Sequence, residues 1–151
     1  MTKRRFLVTS GLPYSNGLLH VGHVAGAYLP ADTYVRYLRA RGADVLFICG
    51  SDDNGVAALI SAETETRPVE ELTADYNARQ REDFESLGIK FDIYGGTHQP
   101  DYVSRHEELS QEFFRKIHEK GYFTKRSTEQ LYDPVRQRFL PDRYVTGTCY
   151  H

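Results

Sequence analysis

Two short apolar runs, each followed by a polar, glycine-containing loop, constrain most strongly how this chain can fold. They occupy residues 6–8 and 45–49, and uninterrupted runs of this length are typical of strands buried in a parallel sheet. Between them, apolar side chains recur every three or four positions over residues 21–41, which predicts an amphipathic helix that ends at Gly42. Because proline lacks an N–H group, we expect a kink at Pro30. Strand, helix and strand in this order predict a right-handed βαβ unit and an α/β fold.

Helical and strand patterns alternate up to Gly121, and the pattern then changes. The further predicted elements are helices at 55–64, 68–87 and 100–120, and a strand at 91–94. After Gly121 we predict only short β-like pieces, at 122–125, 130–132 and 138–140. We therefore predict a parallel sheet with flanking helices over residues 1–121, followed by the start of a small β-rich segment over residues 122–151.

The charge and cysteine content exclude several classes of protein. The chain has 19 Lys and Arg against 21 Asp and Glu, whereas nucleic-acid-binding domains usually carry a basic excess. We therefore expect no DNA partner, and only weak contact of this part alone with RNA. Two cysteines, Cys49 and Cys149, are typical of free thiols in a cytoplasmic protein. No signal-peptide pattern and no apolar run of membrane-spanning length is found, so we also expect no membrane partner.

Two histidines lie at the start of the first predicted helix, directly after the loop that follows the first strand. His20 and His23 share one face of the first helical turn, with Gly22 between them. Ligands of open α/β sheets bind beyond the carboxyl ends of the strands, and a helix N-terminus offers N–H groups to a phosphate. Two imidazoles there could donate hydrogen bonds to one phosphoryl group, while Gly22 lets a nucleotide approach the backbone. The alternatives are two surface histidines without a role, or a zinc pair, for which no nearby ligand completes the set.

The stretch that contains these histidines, residues 11–23, resembles the His-Ile-Gly-His region of the class I aminoacyl-tRNA synthetases. The Leu12-Pro13-Tyr14 sequence before them is similar to the methionyl-tRNA synthetase family in particular. Residues 34–42, 47–55 and 139–149 resemble further blocks of that family in the same order. The resemblance implies a Rossmann-like first half of a catalytic domain, followed by the start of a connective insertion.

The resemblance also implies the reaction and the residues that carry it. The expected enzyme is a methionine–tRNA ligase, which forms methionyl-adenylate from methionine and ATP with Mg²⁺ and then transfers methionine to tRNA(Met). We expect His20 and His23 to be catalytic through contacts with the phosphates of ATP. The remaining expected contacts are Pro13, Asn16 and Gly22 for ATP, and Leu12, Tyr14 and Asp52 for methionine.

The methionine contacts have physical reasons and also simpler alternatives. A carboxylate at a strand end, such as Asp52, can form a charge-assisted hydrogen bond to an ammonium group, but residues 50–55 also have the composition of an ordinary turn. An aromatic ring such as Tyr14 suits a thioether sulfur, but a tyrosine in a chain with eleven of them can equally be a core residue. Asp53 and Asn54 replace the Glu and His of the commoner family pattern, so no role is carried over to them.

Two features point to the N-terminal part of a longer enzyme. Cys149 resembles the first ligand of a zinc knuckle, but a structural zinc needs about four ligands, so we expect zinc only in a longer chain. The second family signature, Lys-Met-Ser-Lys-Ser, is not found in the sequence. We therefore expect these 151 residues to be inactive alone. The alternatives are an ATP- or amino-acid-binding module without turnover, another class I nucleotidyl transferase, or a leucyl, isoleucyl or valyl relative.

Overall fold

A parallel three-stranded sheet forms the centre of the protein in a computed structural model that describes residues 4–140. Its strands are β1 (Arg5–Thr9), β2 (Asp44–Ser51) and β3 (Ile93–Gly96), in the order β1-β2-β3. Val8 lies opposite Phe47, and Cys49 lies opposite Tyr94. The carboxyl ends of the three strands therefore meet at one edge, and the predicted α/β fold with a parallel sheet is confirmed.

Five α-helices alternate with these strands or follow them in the described residues. They are α1 (Val21–His23), α2 (Leu29–Ala40), α3 (Val56–Glu65), α4 (Val69–Ser86) and α5 (Val103–Glu119). The loop from β2 to α3 passes through Gly55 at a φ of 117°. Side chains other than glycine rarely adopt this conformation, so Gly55 permits the turn that brings α3 close behind the end of β2.

The first predicted helix contains a π-helical segment, Val24–Tyr28, between α1 and α2. In that segment the Leu29 N–H donates to the Val24 carbonyl, five residues earlier. Pro30 follows at once and occupies the first turn of α2, where a missing N–H group costs least. The structure thus accommodates the proline by a wide helical turn placed just before it.

The hydrophobic core lies between one face of the sheet and the helices. Phe84 of α4 is 1% exposed, and its ring contacts Tyr28, Phe91 and Tyr94 at centroid distances of 4.6, 5.2 and 5.6 Å. Phe47 of β2 is fully buried, whereas its neighbour Leu46 is 45% exposed. Side chains alternate between the two faces of a strand, so one face of the sheet carries the core and the other is more open.

The structure divides into two compact units, Met1–Glu112 and Phe113–His151. In the second unit, β4 (Tyr132–Asp133) and β5 (Arg138–Phe139) pair antiparallel. These strands overlap the β-like pieces predicted at 130–132 and 138–140. The third predicted piece, residues 122–125, is wrong, because those residues form no strand. The boundary predicted near Gly121 stays a prediction about domains.

Among residues 4–140, no helix has both the length and the apolar character to cross a membrane.

Candidate active site

The loop between β1 and α1 lies alongside the end of β2. The Asp52 N–H donates to the Pro13 carbonyl at 2.8 Å, and the Ser15 N–H donates to the Asp52 carbonyl at 3.1 Å. These two bonds form an isolated parallel bridge in which Tyr14 faces Asp52. Two of the three residues predicted to bind methionine, 38 positions apart in sequence, are therefore neighbours on adjacent backbones.

Side chains from the surrounding helices hold this loop in place. The Tyr28 hydroxyl, from the π-helical segment, donates to the Gly11 carbonyl at 3.0 Å. Gln80 of α4 is 1% exposed, and its Nε2 donates to the Tyr14 carbonyl at 2.9 Å. Loop carbonyls that would otherwise be buried without partners are satisfied in this way. The loop is thus a fixed part of the structure, as a preorganised binding site requires.

Asn16, predicted to contact ATP, lies in the same loop. Its backbone carbonyl accepts a hydrogen bond of 3.4 Å from the Ser61 hydroxyl of α3. Pro13 is buried, and Asn16 is half-buried. Both residues therefore shape the loop, while their contacts with ATP stay predictions.

His20 and His23 form a reciprocal cap at the start of α1. The His23 N–H donates to Nδ1 of His20, and the His20 N–H donates to Nδ1 of His23, each at 3.3 Å. The two rings stack with their centroids 3.6 Å apart and their planes 18° apart. The sequence predicted that these side chains share one face, but it did not indicate that they cap the helix, because histidine is not a usual N-cap residue.

The cap determines which nitrogen of each ring can donate. An Nδ1 atom that accepts a hydrogen bond carries no proton, so a neutral ring has its proton on Nε2. Both side chains are exposed, and the cap leaves both Nε2–H groups free to bind an external acceptor. The histidine pair is therefore suited to donate two hydrogen bonds to an anionic group.

Gly22 has a packing reason to lack a side chain. A Cβ atom at this position would lie 3.0 Å from Cε1 and from Nδ1 of His20. Such a contact is tighter than ordinary van der Waals packing, so Gly22 makes room for the His20 ring in its capping position. Its predicted contact with a nucleotide stays a prediction.

Leu12 lines an apolar cavity of about 370 Å³ at the carboxyl ends of the three strands. Other lining residues are Ile48, Cys49, Gly95, Tyr102 and His106. Tyr14, Asp52 and the two histidines do not line it. The structure therefore brings together Tyr14 with Asp52, and His20 with Gly22 and His23, whereas their convergence around one shared cavity stays a prediction.

Cys49 and Tyr28 are both held in their neutral forms beneath this loop. Burial raises the pKa of the Cys49 thiol from 9.0 to about 11. Burial, and secondarily the nearby Cys49, raise the pKa of the Tyr28 hydroxyl from 10.0 to about 12. Because the thiolate is the reactive form of cysteine, Cys49 is not an activated nucleophile at neutral pH.

Asp53 is a buried residue to which the sequence assigned no role. Its side chain is 4% exposed and accepts hydrogen bonds from the Ser15 and Ser51 hydroxyls at 2.7 and 2.5 Å. It also accepts from the His98 N–H at 2.9 Å and from Nε2 of Gln99 at 3.1 Å. All of these donors except Ser51 lie 38 or more residues from Asp53 in sequence, so no local pattern could have indicated the network.

The region predicted for zinc lies at the end of the chain. Cys149 is outside the described residues. Within residues 4–140, no group of three or more His, Cys, Asp or Glu side chains is placed to hold a metal ion.

Comparison with known proteins identifies the family. The family described as tRNA synthetases class I (M) matches residues 6–151. A methionine–tRNA ligase of Salinibacter ruber is 50% identical over 148 residues, which are 98% of this chain and 20% of that protein. A methionine–tRNA ligase of Rubrobacter xylanophilus is 48% identical over 96% of this chain and 24% of its own length. The chain thus spans about a fifth to a quarter of the length of these relatives.

Solved structures show the same fold. Mycobacterium tuberculosis methionyl-tRNA synthetase in complex with methionyl-adenylate superposes with a TM-score of 0.77 at 26% identity, over 93% of this chain and 26% of that chain. A ternary complex of Agrobacterium radiobacter LeuRS with tRNA and LeuAMS gives a TM-score of 0.75 at 29% identity, over 97% of this chain and 18% of that chain. These likenesses confirm the Rossmann-like fold but include both a methionyl and a leucyl enzyme. The family model and the sequence relatives distinguish the two, and the chain belongs to the methionyl branch of the class I tRNA synthetases.

Proposed function

We propose that the natural protein that carries this chain is a methionine–tRNA ligase. In the proposed reaction, a carboxylate oxygen of methionine attacks the α-phosphate of ATP, pyrophosphate leaves, and methionyl-adenylate forms. The 3′ end of tRNA(Met) then attacks the methionyl carbonyl and releases AMP. The observation that carries this proposal is the match of nearly the whole chain to methionine–tRNA ligases at 50% and 48% identity.

The methionine side of the site is proposed to consist of Leu12, Tyr14 and Asp52. The bridge between Tyr14 and Asp52 supports this assignment, because it fixes an aromatic ring and a carboxylate on adjacent backbones. Asp52 would accept a charge-assisted hydrogen bond from the methionine ammonium group. The Tyr14 ring, which is 52% exposed, is available to contact a thioether. Leu12 adds an apolar wall beside the cavity at the strand ends.

The phosphate side is proposed to consist of His20 and His23. The capping geometry supports this role, because it leaves both Nε2–H groups available as donors. They would stabilise the charge that develops on the phosphoryl oxygens, and no protein nucleophile is needed. Pro13, Asn16 and Gly22 would shape the ATP-facing loop and helix start.

Mg²⁺ would accompany ATP and screen the charge of its phosphates. The described part of the chain offers no cluster of acidic or histidine ligands, so we assign Mg²⁺ to the phosphates of ATP. Cys149 would be a zinc ligand only together with ligands from further along a longer chain. The free thiol of Cys49 is in keeping with a cytoplasmic location, which we propose for the protein.

Methionine-dependent exchange between pyrophosphate and ATP tests the proposed function. The natural protein should catalyse this exchange with methionine, and leucine, isoleucine and valine should support it poorly. His20→Ala should abolish the exchange while the melting temperature falls by only a few degrees, since a lost helix cap costs about 1 kcal/mol. His118→Ala, in α5, is the matched control and should retain activity. Normal exchange by the His20 variant would refute the assignment of His20.

The second candidate is a binding module without turnover. It is favoured for the 151-residue chain by the observation that relatives are about four to five times longer. Calorimetry with ATP and methionine, run beside the exchange assay, distinguishes the two functions. Binding without exchange supports the module, and exchange by the 151-residue chain alone refutes it.

A further inference from the structure

The Asp53 carboxylate is buried, and among the described ion pairs none includes it. A buried carboxylate without a cation is costly unless hydrogen-bond donors surround it. Four donors do so here: the hydroxyls of Ser15 and Ser51, the backbone N–H of His98 and the amide of Gln99. They come from three separate segments, so the carboxylate joins the loop after β1, the end of β2 and the turn after β3.

The network is directly continuous with the proposed methionine site. Ser15 donates its hydroxyl to the Asp53 carboxylate and its backbone N–H to the Asp52 carbonyl. The second of these bonds is half of the bridge that places Tyr14 beside Asp52. The backbone N–H of Asp53 donates to Oγ1 of Thr97 at 2.9 Å, which fixes the peptide that follows Asp52.

Gly96, at the end of β3, lies directly against the Asp53 carboxylate. A Cβ atom on Gly96 would lie 2.5 Å from Oδ2 of Asp53 and 2.8 Å from Oγ of Ser51. Ser51 in turn accepts a hydrogen bond of 2.7 Å from Nδ2 of Asn77 in α4. Asn77 also donates to the Gly95 carbonyl at 2.8 Å. One of the donors to the carboxylate, Ser51, is therefore itself anchored to α4.

We propose that Asp53 is a positioning residue for methionine: its carboxylate fixes Ser15 and thereby sets the relative placement of Tyr14 and Asp52. This inference rests on the proposed function, in which the last two residues bind methionine. Asp53 itself touches no substrate in this proposal. Its effect should therefore fall on the methionine subsite, whereas the histidine pair, held by its own cap, should be unaffected.

The test compares Asp53→Ala with Asp32→Ala in the natural protein. Asp32 is the matched control, because its carboxylate is 5% exposed and accepts hydrogen bonds from Arg36 and from the Lys90 N–H, away from the loop. Pyrophosphate exchange gives separate KM values for methionine and ATP. A small displacement of binding groups costs on the order of 10- to 100-fold, so Asp53→Ala should raise the KM for methionine by such a factor. The KM for ATP should rise by a clearly smaller factor, because Pro13 and Asn16 lie in the same loop but His20 and His23 are held by their own cap. Asp32→Ala should change neither KM by more than about twofold.

Two outcomes would overturn the proposal. In the first, Asp53→Ala raises both KM values equally. In the second, Asp32→Ala raises the KM for methionine as much as Asp53→Ala does. If Asp53→Ala does not fold, Ser15→Ala removes the hydroxyl that links the carboxylate to the loop, together with its longer bond of 3.3 Å to the Asp52 carbonyl, and leaves Asp53 in place. That variant should raise the KM for methionine, and an unchanged KM would refute the proposal.

Hydrogen–deuterium exchange separates this inference from the proposed function. Failure of the unmodified protein to show methionine-dependent exchange of pyrophosphate would refute the proposed function. The backbone amides of residues 14–17 still report whether Asp53 holds the loop. They should exchange faster in Asp53→Ala than in Asp32→Ala, and equal protection in the two variants would refute the positioning role.

Discussion

Alkaline conditions should destabilise the protein through Cys49 before they act through its buried tyrosines. Burial raises the pKa of the Cys49 thiol in the folded state to about 11, whereas a free thiol has a pKa of 9.0. As the pH rises, the unfolded state therefore loses this proton first. The stabilising contribution is fully present below pH 9 and is lost as the pH rises from about 9 to about 11.

The magnitude follows from these two pKa values. At pH 10 the lost free energy is RT ln[(1 + 10)/(1 + 0.1)], or about 1.4 kcal/mol. For Tyr28, with a pKa raised from 10.0 to about 12, the same expression gives only about 0.4 kcal/mol at pH 10. Tyr94, whose pKa burial also raises, should contribute a similarly small loss at this pH. Cys49 should therefore dominate the change between pH 8 and pH 10.

The assay is urea unfolding followed by far-ultraviolet circular dichroism at pH 8 and pH 10. Cys49→Ala should lower stability at pH 8 but reduce the further loss at pH 10 by about 1.4 kcal/mol. Tyr28→Phe is the matched comparison and should reduce that loss by only about 0.4 kcal/mol. If Cys49→Ala retains the full dependence on pH, the thiol is not the group responsible, and the reasoning is refuted.

Two further substitutions test the core and the turn after β3. Phe84→Ala should lower the free energy of unfolding by about 3–5 kcal/mol, because it empties the centre of the aromatic core; Phe113→Ala, 67% exposed in the structure, should cost less than about 0.5 kcal/mol in the same urea titration. Gly96→Ala should cost about 1–3 kcal/mol by crowding the Gln99 side chain and the Asp53 carboxylate that it binds, and should also raise the KM for methionine. Gly26→Ala is its control, since a Cβ there meets nothing within 4 Å; an equal loss in both variants would contradict the crowding argument.

The sheet could be predicted from sequence because its signals are local. Strands β1 and β2 coincide with uninterrupted apolar runs followed by glycine-containing loops, and the helices show their own periodicity. The wide helical turn at Val24–Tyr28 could not be predicted in the same way. Pro30 indicated that the helix must adapt, but several adaptations satisfy a missing N–H group, and tertiary packing selects among them. The strand predicted at 122–125 was wrong because a short β-like composition forms a strand only where a partner strand is available.

The candidate site was predictable to the extent that its residues lie at strand and helix ends. Tyr14 and Asp52 meet because β1 and β2 are adjacent and parallel, which the βαβ pattern already required. The hydrogen bonds that hold them could not be predicted, because Gln80 and Asp53 act through partners far away in sequence. The sequence around Asp53 does not indicate whether its carboxylate is buried in a hydrogen-bond network or exposed to solvent in a turn.

The π-helical segment also limits which changes of length the chain can tolerate. A turn of π-helix contains one residue more than a turn of α-helix, because its hydrogen bonds span five residues instead of four. Deleting one residue from Val24–Tyr28 would therefore restore regular winding while His20 and His23 keep nearly the same orientation relative to α2. Deleting one residue from α2 itself would rotate the histidine pair by about 100° relative to the rest of that helix, since no wide turn there absorbs the change. The π-helical segment is thus the place in this helix where a change of length by one residue is best tolerated.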